Sequence, residues 1–318
     1  MSLIEQAAKR LEQLRQAGVE LPDDQPARSP AAKAKAAVKA PDPYAEDITQ
    51  TPHREPAAPT TKEAPSKAPL PPSKRVELNL ESISASGLLV PQASRSQLAD
   101  EYRVIKRPLI ANAMGKGSTP IENGNLIMVT SALPGEGKSF TAINLAISIA
   151  MELDNTVMLV DADVSRPSVL NMLGLPPAPG LLDVVSRNSV DISGVLLRTN
   201  IEKLSILPSG TQHPRATELL ASDAMVRLLN DMASRYNDRI IIFDSPPLLL
   251  TTESRALATH MGQIIIVVNA ESTAQAAVKQ AIAAIEACPV KMMLLNQARQ
   301  ASTDGYGYGY GYGYGHEN

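Results

Sequence analysis

The feature that most constrains this chain is a run of eight residues, Ala132-Leu133-Pro134-Gly135-Glu136-Gly137-Lys138-Ser139, set between the apolar stretch Leu126 to Ser131 and the amphipathic stretch Lys138 to Met151. A strand that enters a glycine-bearing turn and leaves as a helix points successive backbone N–H groups into one concavity, and the helix N-terminus adds partial positive charge there. The lysine and hydroxyl that close the turn complete a Walker A loop, with Lys138 bridging β and γ phosphates and Ser139 offering a ligand to Mg²⁺. Ala132 stands where the first glycine is usual, a tolerated variant. The expected cofactors are ATP and Mg²⁺, with Pro134, Gly135, Glu136, Gly137, Lys138, Ser139 and Phe140 around the nucleotide.

Such a loop needs a sheet behind it, and the sequence supplies one. The spacing predicts strands over Leu126 to Ser131, Thr156 to Val160, Leu204 to Leu207, Arg239 to Phe243, Gln263 to Asn269 and Lys291 to Leu295. Amphipathic stretches separate most of them, including Lys138 to Met151, Ala221 to Arg235 and Ala274 to Ala287. Runs as continuously apolar as Ile264 to Val268 indicate burial on both faces, which belongs to a parallel sheet covered by helices. The expected fold class is α/β, a P-loop NTPase with a mostly parallel central sheet flanked by helices. Upstream, Gln97 to Ala113 reads as a helix carrying Leu98, Tyr102, Ile105 and Leu109, which Pro108 is expected to kink or interrupt.

The second strand ends in Asp161-Ala162-Asp163, and period-two geometry points both carboxylates the same way. The strand Ile240-Ile241-Ile242-Phe243 delivers Asp244, followed by Ser245-Pro246-Pro247, a Walker B pattern with an acid suited to Mg²⁺. Acids at the C-terminal edge of parallel strands face the ligand crevice. The candidate catalytic residues are therefore Lys138, Asp161, Asp163 and Asp244. Asn296, just past the last strand, is a candidate for holding adenine.

The remainder of the chain is built differently. Twelve of the 25 prolines lie between Pro22 and Pro72, in a stretch rich in Ala, Lys, Thr and Ser, which buries too little apolar surface to offset chain entropy. The expected domains are an amphipathic helix over 1–20 (Leu3, Ile4, Ala7, Leu11 and Leu14 on one stripe), a disordered Pro/Ala-rich linker over 21–86, a P-loop domain over 87–300 and a flexible tyrosine-cluster tail over 301–318. The helix either docks on a partner or lies on its own domain. In the tail, glycine alternates with Tyr306, Tyr308, Tyr310, Tyr312 and Tyr314.

Composition excludes several classes. A formal net charge of -3 gives no bulk attraction to nucleic acid, so no nucleic-acid partner is expected. The single cysteine, Cys288, permits neither an intramolecular disulfide nor a thiolate zinc cluster, which suits a reducing cytosol. The histidines (His53, His213, His260, His316) are scattered and read as surface or packing residues. No run approaches the ~20 apolar residues needed to span a bilayer. The expected location is cytoplasmic, and any association with a membrane must come through a partner.

Taken together, PGEGKS in the Walker A loop, the Asp-x-Asp strand end, the strand into Asp244-Ser245-Pro246-Pro247, Leu204 to Gly210, Glu218 to Ser222 and the tyrosine-rich tail resemble the bacterial tyrosine kinases, P-loop proteins unrelated to eukaryotic-type kinases. The wording His213-Pro214 through Thr217-Glu218 is similar to the subgroup associated with exosortase and exopolysaccharide gene clusters. The match covers most of the chain from Gln97 onward. Two departures stand out. Ser165 occupies the place where the family commonly has Arg, with Arg166 one later, and the helix pattern that joins family members into rings reads Asp100-x-x-Arg103-x-x-Lys106. Lysine does not reproduce the bidentate fork of arginine.

The resemblance implies tyrosine autophosphorylation on the tail, with Ser139, Asp163 and Asp244 organising Mg²⁺ and Asp161 facing the tyrosine hydroxyl as base. It also implies a ring-like homo-oligomer through Asp100, Arg103 and Lys106. The implied partners are the cytosolic segment of a membrane polysaccharide chain-length regulator and a protein-tyrosine phosphatase. Ordinary pKa values of about 3.9 for Asp and about 10 for Tyr make early proton removal cost about 8 kcal/mol, so positioning and charge neutralisation must dominate in a loose transition state. From Asn296 about 20 residues reach up to roughly 70 Å, enough for a neighbour's site. Five phosphates would add roughly -8 to -10 charges and favour release of the assembly. Two other classes share these motifs. One is a nucleotide-switch positioning ATPase of the chromosome-partitioning or division-site type, whose signature lysine is absent at Leu133-Pro134-Gly135. The other is a nucleotide-gated scaffold in polysaccharide export.

Overall fold

A computed structural model of the chain describes residues 74–117, 119–186, 191–235 and 239–298, all within one compact unit. The expected N-terminal helix, the linker up to residue 73 and the tyrosine tail lie outside the described residues. The domain begins earlier than residue 87. β1 (Lys74–Arg75) and α1 (Leu80–Ala85) precede that point, and Leu78 and Ile83 are buried. Asn79 caps α1 by accepting from the Ser82 amide, a signal that the proline-rich composition nearby obscures.

Next come α2 (Gln97–Ala113), β2 (Leu126–Ser131), α3 (Lys138–Ala150), β3 (Thr156–Asp161), α4 (Val169–Met172), α5 (Leu181–Ser186), α6 (Ile192–Val195), β4 (Leu197–Arg198) and β5 (Leu204–Leu207). The chain continues through α7 (Ala216–Leu220), α8 (Asp223–Arg235), β6 (Arg239–Asp244), α9 (Thr252–Ala258), β7 (Gln263–Asn269), α10 (Gln275–Ala283) and β8 (Val290–Asn296). The sheet order is β1-β4-β5-β3-β6-β2-β7-β8, and every pairing is parallel except β4 with β5. The α/β fold class read from the sequence is the one observed.

Alternation along the strands divides the interior in two. Met128, Met158, Ile241, Phe243, Ile264 and Ile266 face one core, and Ile127, Val129, Val157, Leu159, Ile240, Ile242 and Ile265 face the other. β2 is buried at all six positions, as the continuous apolar run requires. α3 is buried from Thr141 to Ala150 because α2 covers its outer side. Here Lys106 reaches inward from α2, donates to the Ser148 carbonyl at 2.6 Å and pairs with Glu152 at 2.6 Å, so it binds the C-terminal turn of α3.

Of the two outcomes expected at Pro108, a kink or an interruption, the interruption does not occur: α2 runs through the proline. The carbonyl that loses its partner belongs to Val104, which is 72% exposed, so water satisfies it and the helix continues.

The segment entering α5 and the end of β5 are fastened together. Leu181 and Leu182 donate amide hydrogens to Pro208 and Ser209, and one carboxylate oxygen of Asp183 accepts from both Gly180 and Thr211 at 2.9 Å. The chains approach so closely that a Cβ on Gly180 would stand inside the Pro208 carbonyl. Gly180→Ala should therefore cost about 1–3 kcal/mol, the range of an overpacked site, read as a lowered midpoint in denaturant unfolding.

Candidate active site

Strand order builds the site. β3, β6 and β2 are neighbours, and the register pairs Asp161 with Asp244 across β3 and β6 and Val129 with Asp244 across β2 and β6. Three strand ends therefore place Asp161, Asp163, Asp244 and the Walker A loop side by side, as the sequence analysis expects. Lys138 lies between two of the acids, 2.8 Å from Asp163 Oδ2 and 3.7 Å from Asp244 Oδ1.

Gly137 adopts φ 91°, a left-handed conformation that starts α3 sharply and that a side chain disfavours. The first amides of α3, at Lys138, Ser139 and Phe140, have no intrahelical acceptor and serve an anion. The Phe140 side chain packs against the α2 and α3 core, so its contribution to nucleotide binding falls to its main chain. Glu136 is buried and acts as an internal brace, Oε2 accepting from the Leu133 amide at 2.7 Å and Oε1 from the Thr273 hydroxyl. Asn296 donates from Nδ2 to the Glu136 carbonyl at 3.0 Å, and Gln297 donates to the Gly135 carbonyl at 3.3 Å. The side chain expected to hold adenine is thus engaged with the loop itself.

All three acids are buried, and their charges disagree with that burial. Burial pushes the Asp161 carboxyl up to about 7, the Asp244 charge adds to the rise, and the amides of Val169 and Ser168 oppose it. Burial likewise lifts Asp244 to about 6 against the pull of Lys138. Burial works against the Lys138 charge, but Asp244 and Asp163 outweigh it, so the ammonium is held above the ordinary lysine range. Neither oxygen of Asp244 has a hydrogen-bond partner within reach among the described residues. Two buried carboxylates and a hydroxyl beside one lysine fit Mg²⁺, which takes few protein ligands and fills its sphere from water and phosphate oxygens. Ser139, Asp163 and Asp244 are the residues that would hold it. No cluster of three His, Cys, Asp or Glu with metal-binding geometry occurs among the described residues.

Asp161 is set apart from that pair. Its Oδ2 accepts from the amides of Ser168 at 3.1 Å and Val169 at 3.0 Å, while Oδ1 has no hydrogen-bond partner among the described residues. Ser168 also donates from Oγ to Ser139 Oγ at 2.9 Å, tying the segment after β3 to the Walker A loop. Sequence reasoning missed Ser168, Thr273 and Gln297 because each acts through a main-chain turn or a contact far along the chain. The polar pair Asn296-Gln297 at the end of β8 was the available signal. A cavity of about 510 Å³ opens between Pro134, Lys138, Asp163, Arg166 and Pro246. Arg166 therefore brings a positive charge to the phosphate side although Ser165 precedes it.

Of the expected oligomerisation residues, Lys106 is buried and Asp100 and Arg103 are not. Asp100 and Arg103 form an exposed ion pair, and Arg103 donates to the Ser94 carbonyl at 3.0 Å. The Lys106 charge is spent inside the domain on the end of α3.

Fold and site together define a P-loop nucleotide-binding protein of the parallel α/β class. The AAA domain family matches residues 124–297, more than half of the chain. Tyrosine-protein kinase YwqD of Bacillus subtilis is 32% identical over 52% of this chain and 69% of its own length. Putative tyrosine-protein kinase EpsB of Ralstonia solanacearum is 31% identical over 50% of this chain and 20% of its own, so the chain spans only a fifth of that relative. The crystal structure of the chimerical protein CapA2B2 superposes with a TM-score of 0.55 at 26% identity, over 71% of this chain and 96% of that one. The chain belongs to the bacterial tyrosine-protein kinases, within the AAA domain family.

The electrostatics give a test of the metal-free chain. Because the folded pKa of Asp161 lies above its unfolded value of about 3.9, the folded state holds a proton that the unfolded state releases between those values. The cost of ionising it in place is absent below about pH 4 and fully present above about pH 7. Asp161→Asn in the presence of chelator should therefore gain stability at pH 8, on the order of a few kcal/mol, and the gain should fade as pH drops toward 4 in urea unfolding.

Proposed function

We propose that this chain is an ATP:protein-tyrosine phosphotransferase of the non-specific protein-tyrosine kinase kind, whose acceptors are Tyr306, Tyr308, Tyr310, Tyr312 and Tyr314 of its own tail. The observation that carries this reading is the separate placement of Asp161 and the Lys138, Asp163, Asp244 group. Asp161 lines the adjoining cavity with Oδ1 unpartnered among the described residues and no ion pair to Lys138, while Asp163 and Asp244 lie 2.8 and 3.7 Å from that lysine.

In the transfer, Lys138, the Walker A amides and Arg166 bind and orient the triphosphate. Ser139, Asp163 and Asp244 would hold Mg²⁺, which would supply neutralisation of charge on the phosphate oxygens. The tyrosine oxygen forms a bond to the γ phosphorus, the bond from phosphorus to the bridging oxygen breaks, ADP leaves with that electron pair, and Asp161 Oδ1 receives the phenolic proton. With Asp161 near 7, the gap to an ordinary tyrosine near 10 is about three units, or about 4 kcal/mol, within reach of late proton acceptance.

Transfer runs between copies in an oligomer and regulates exopolysaccharide synthesis and export. A cytosolic segment of a membrane polysaccharide chain-length regulator activates it and holds it at the inner face of the membrane, and a protein-tyrosine phosphatase reverses it. EpsB supports the partner, since four-fifths of that relative lies outside the part this chain matches. No helix among the described residues is long and apolar enough to cross a membrane.

Incubation with Mg²⁺ and ATP followed by mass spectrometry should place phosphate on Tyr306 to Tyr314 in the wild type and none in Lys138→Met. Asp161→Asn should lose transfer by at least about a hundredfold, the scale of a positioned acid or base, and retain ATP binding. Equal loss of both would remove Asp161 from the role of base. ATP binding without tail phosphate, even with an activator segment present, would favour the switch ATPase.

A further inference from the structure

A serine at the N-cap of a helix ordinarily offers its side-chain oxygen to an amide of the first turn. Ser168 stands at that position before α4 and makes no such bond. Its hydroxyl donates instead to Ser139 Oγ at 2.9 Å, a residue 29 positions away, while its amide donates to Asp161 Oδ2 at 3.1 Å. One residue thus ties the Walker A serine and the carboxylate at the end of β3 together, using a different group for each. Ser168 also lines the phosphate cavity along with Lys138, Ser139 and Asp163, so its hydroxyl is part of the wall of the site.

What that bond does follows from the capacity of a hydroxyl. A serine oxygen has two acceptor positions. On Ser139, one takes the Ser168 proton and the other takes Lys138 Nζ at 3.3 Å. The lysine contact is the weaker of the two. The ammonium lies closer to Asp163 Oδ2, at 2.8 Å, and in a Walker A loop a bound triphosphate draws the lysine to its own oxygens. When Lys138 turns to phosphate, Ser139 Oγ keeps the Ser168 bond and is left with one vacant acceptor position, on the side that the lysine shares with Asp163 and Asp244. Without the Ser168 hydroxyl, Ser139 is free to turn about its Cα–Cβ bond and must be ordered when a cation binds.

We propose that Ser168 is a positioning residue for the divalent cation, acting through Ser139: its hydroxyl fixes the Walker A serine in the orientation that ligates metal. The proposal rests on the assignment of Ser139, Asp163 and Asp244 to Mg²⁺. Substitution separates the two bonds of Ser168, since alanine removes the hydroxyl and leaves the amide that anchors Asp161. Threonine keeps both groups.

The quantity to measure is the factor by which Mg²⁺ tightens binding of a fluorescent ADP to the full chain, from titrations in excess Mg²⁺ and in chelator. Ser168→Ala should shrink that factor about tenfold, the loss typical when a partner of a metal ligand is removed, while affinity in chelator stays at the wild-type value. Ser168→Thr should restore the factor. Ser139→Ala should shrink it at least as much, and Ser168→Ala added to Ser139→Ala should change it no further, because the two hydroxyls act as one unit. An undiminished factor in Ser168→Ala, or a separate further loss in the double variant, would overturn the role. Equal weakening with and without metal would overturn it too, since that is the mark of general support to the cavity. A wild type whose ADP affinity ignores Mg²⁺ would instead remove the metal assignment of Ser139, and the role of Ser168 with it.

Discussion

Everything at the catalytic end of this domain depends on one crowded electrostatic arrangement, three buried carboxylates of which two, Asp163 and Asp244, flank the partly buried Lys138. Such a group is unfavourable by itself, since charges removed from water repel one another more strongly than they would outside. The sheet imposes it. Because β3, β6 and β2 are adjacent and their registers align Asp161, Asp244 and Val129, the acids cannot separate without unpairing central strands. The stability of two hydrophobic cores therefore maintains a charge cluster that would disperse in a looser scaffold, and that cluster is what gives a divalent cation and a polyphosphate somewhere favourable to go.

The bracing around the cluster is polar and comes from distant parts of the sequence. Ser168 and Val169 hold one oxygen of Asp161, while Thr273, Asn296 and Gln297 hold the Walker A loop from the side of β7 and β8. Lys106 extends the same support backwards, fixing the far end of α3. A nucleotide-binding loop rich in glycine is soft by itself, and these contacts supply the stiffness that its own residues lack.

The strands and the four charged residues were legible because each rests on a local pattern, an apolar run of period two or a motif whose residues touch the same ligand. The burial of Ile264 to Val267 on both faces gave away the parallel sheet before any pairing was known. What could not be read were features decided by contacts far along the chain. The inward turn of Lys106 depends on a carbonyl 42 residues away, and its position in a charged helix pattern suggested the opposite direction. Asn296, expected beside adenine because it follows the last strand, also donates to a carbonyl of the loop 160 residues away, which no local pattern announces. Short elements such as α1 escaped notice because composition around them, prolines and alanines, outweighed a single capping asparagine.

The brace from β8 to the Walker A loop spans about half the chain, from Gly135 and Glu136 to Asn296 and Gln297. On the ribosome the loop is made long before its supports, and β7 and β8 must both be synthesised before the cradle is finished. The nascent protein thus passes through most of its translation with the phosphate site unassembled. The bonds that brace the loop are therefore completed only after Asn296 and Gln297 are made, shortly ahead of the tyrosines.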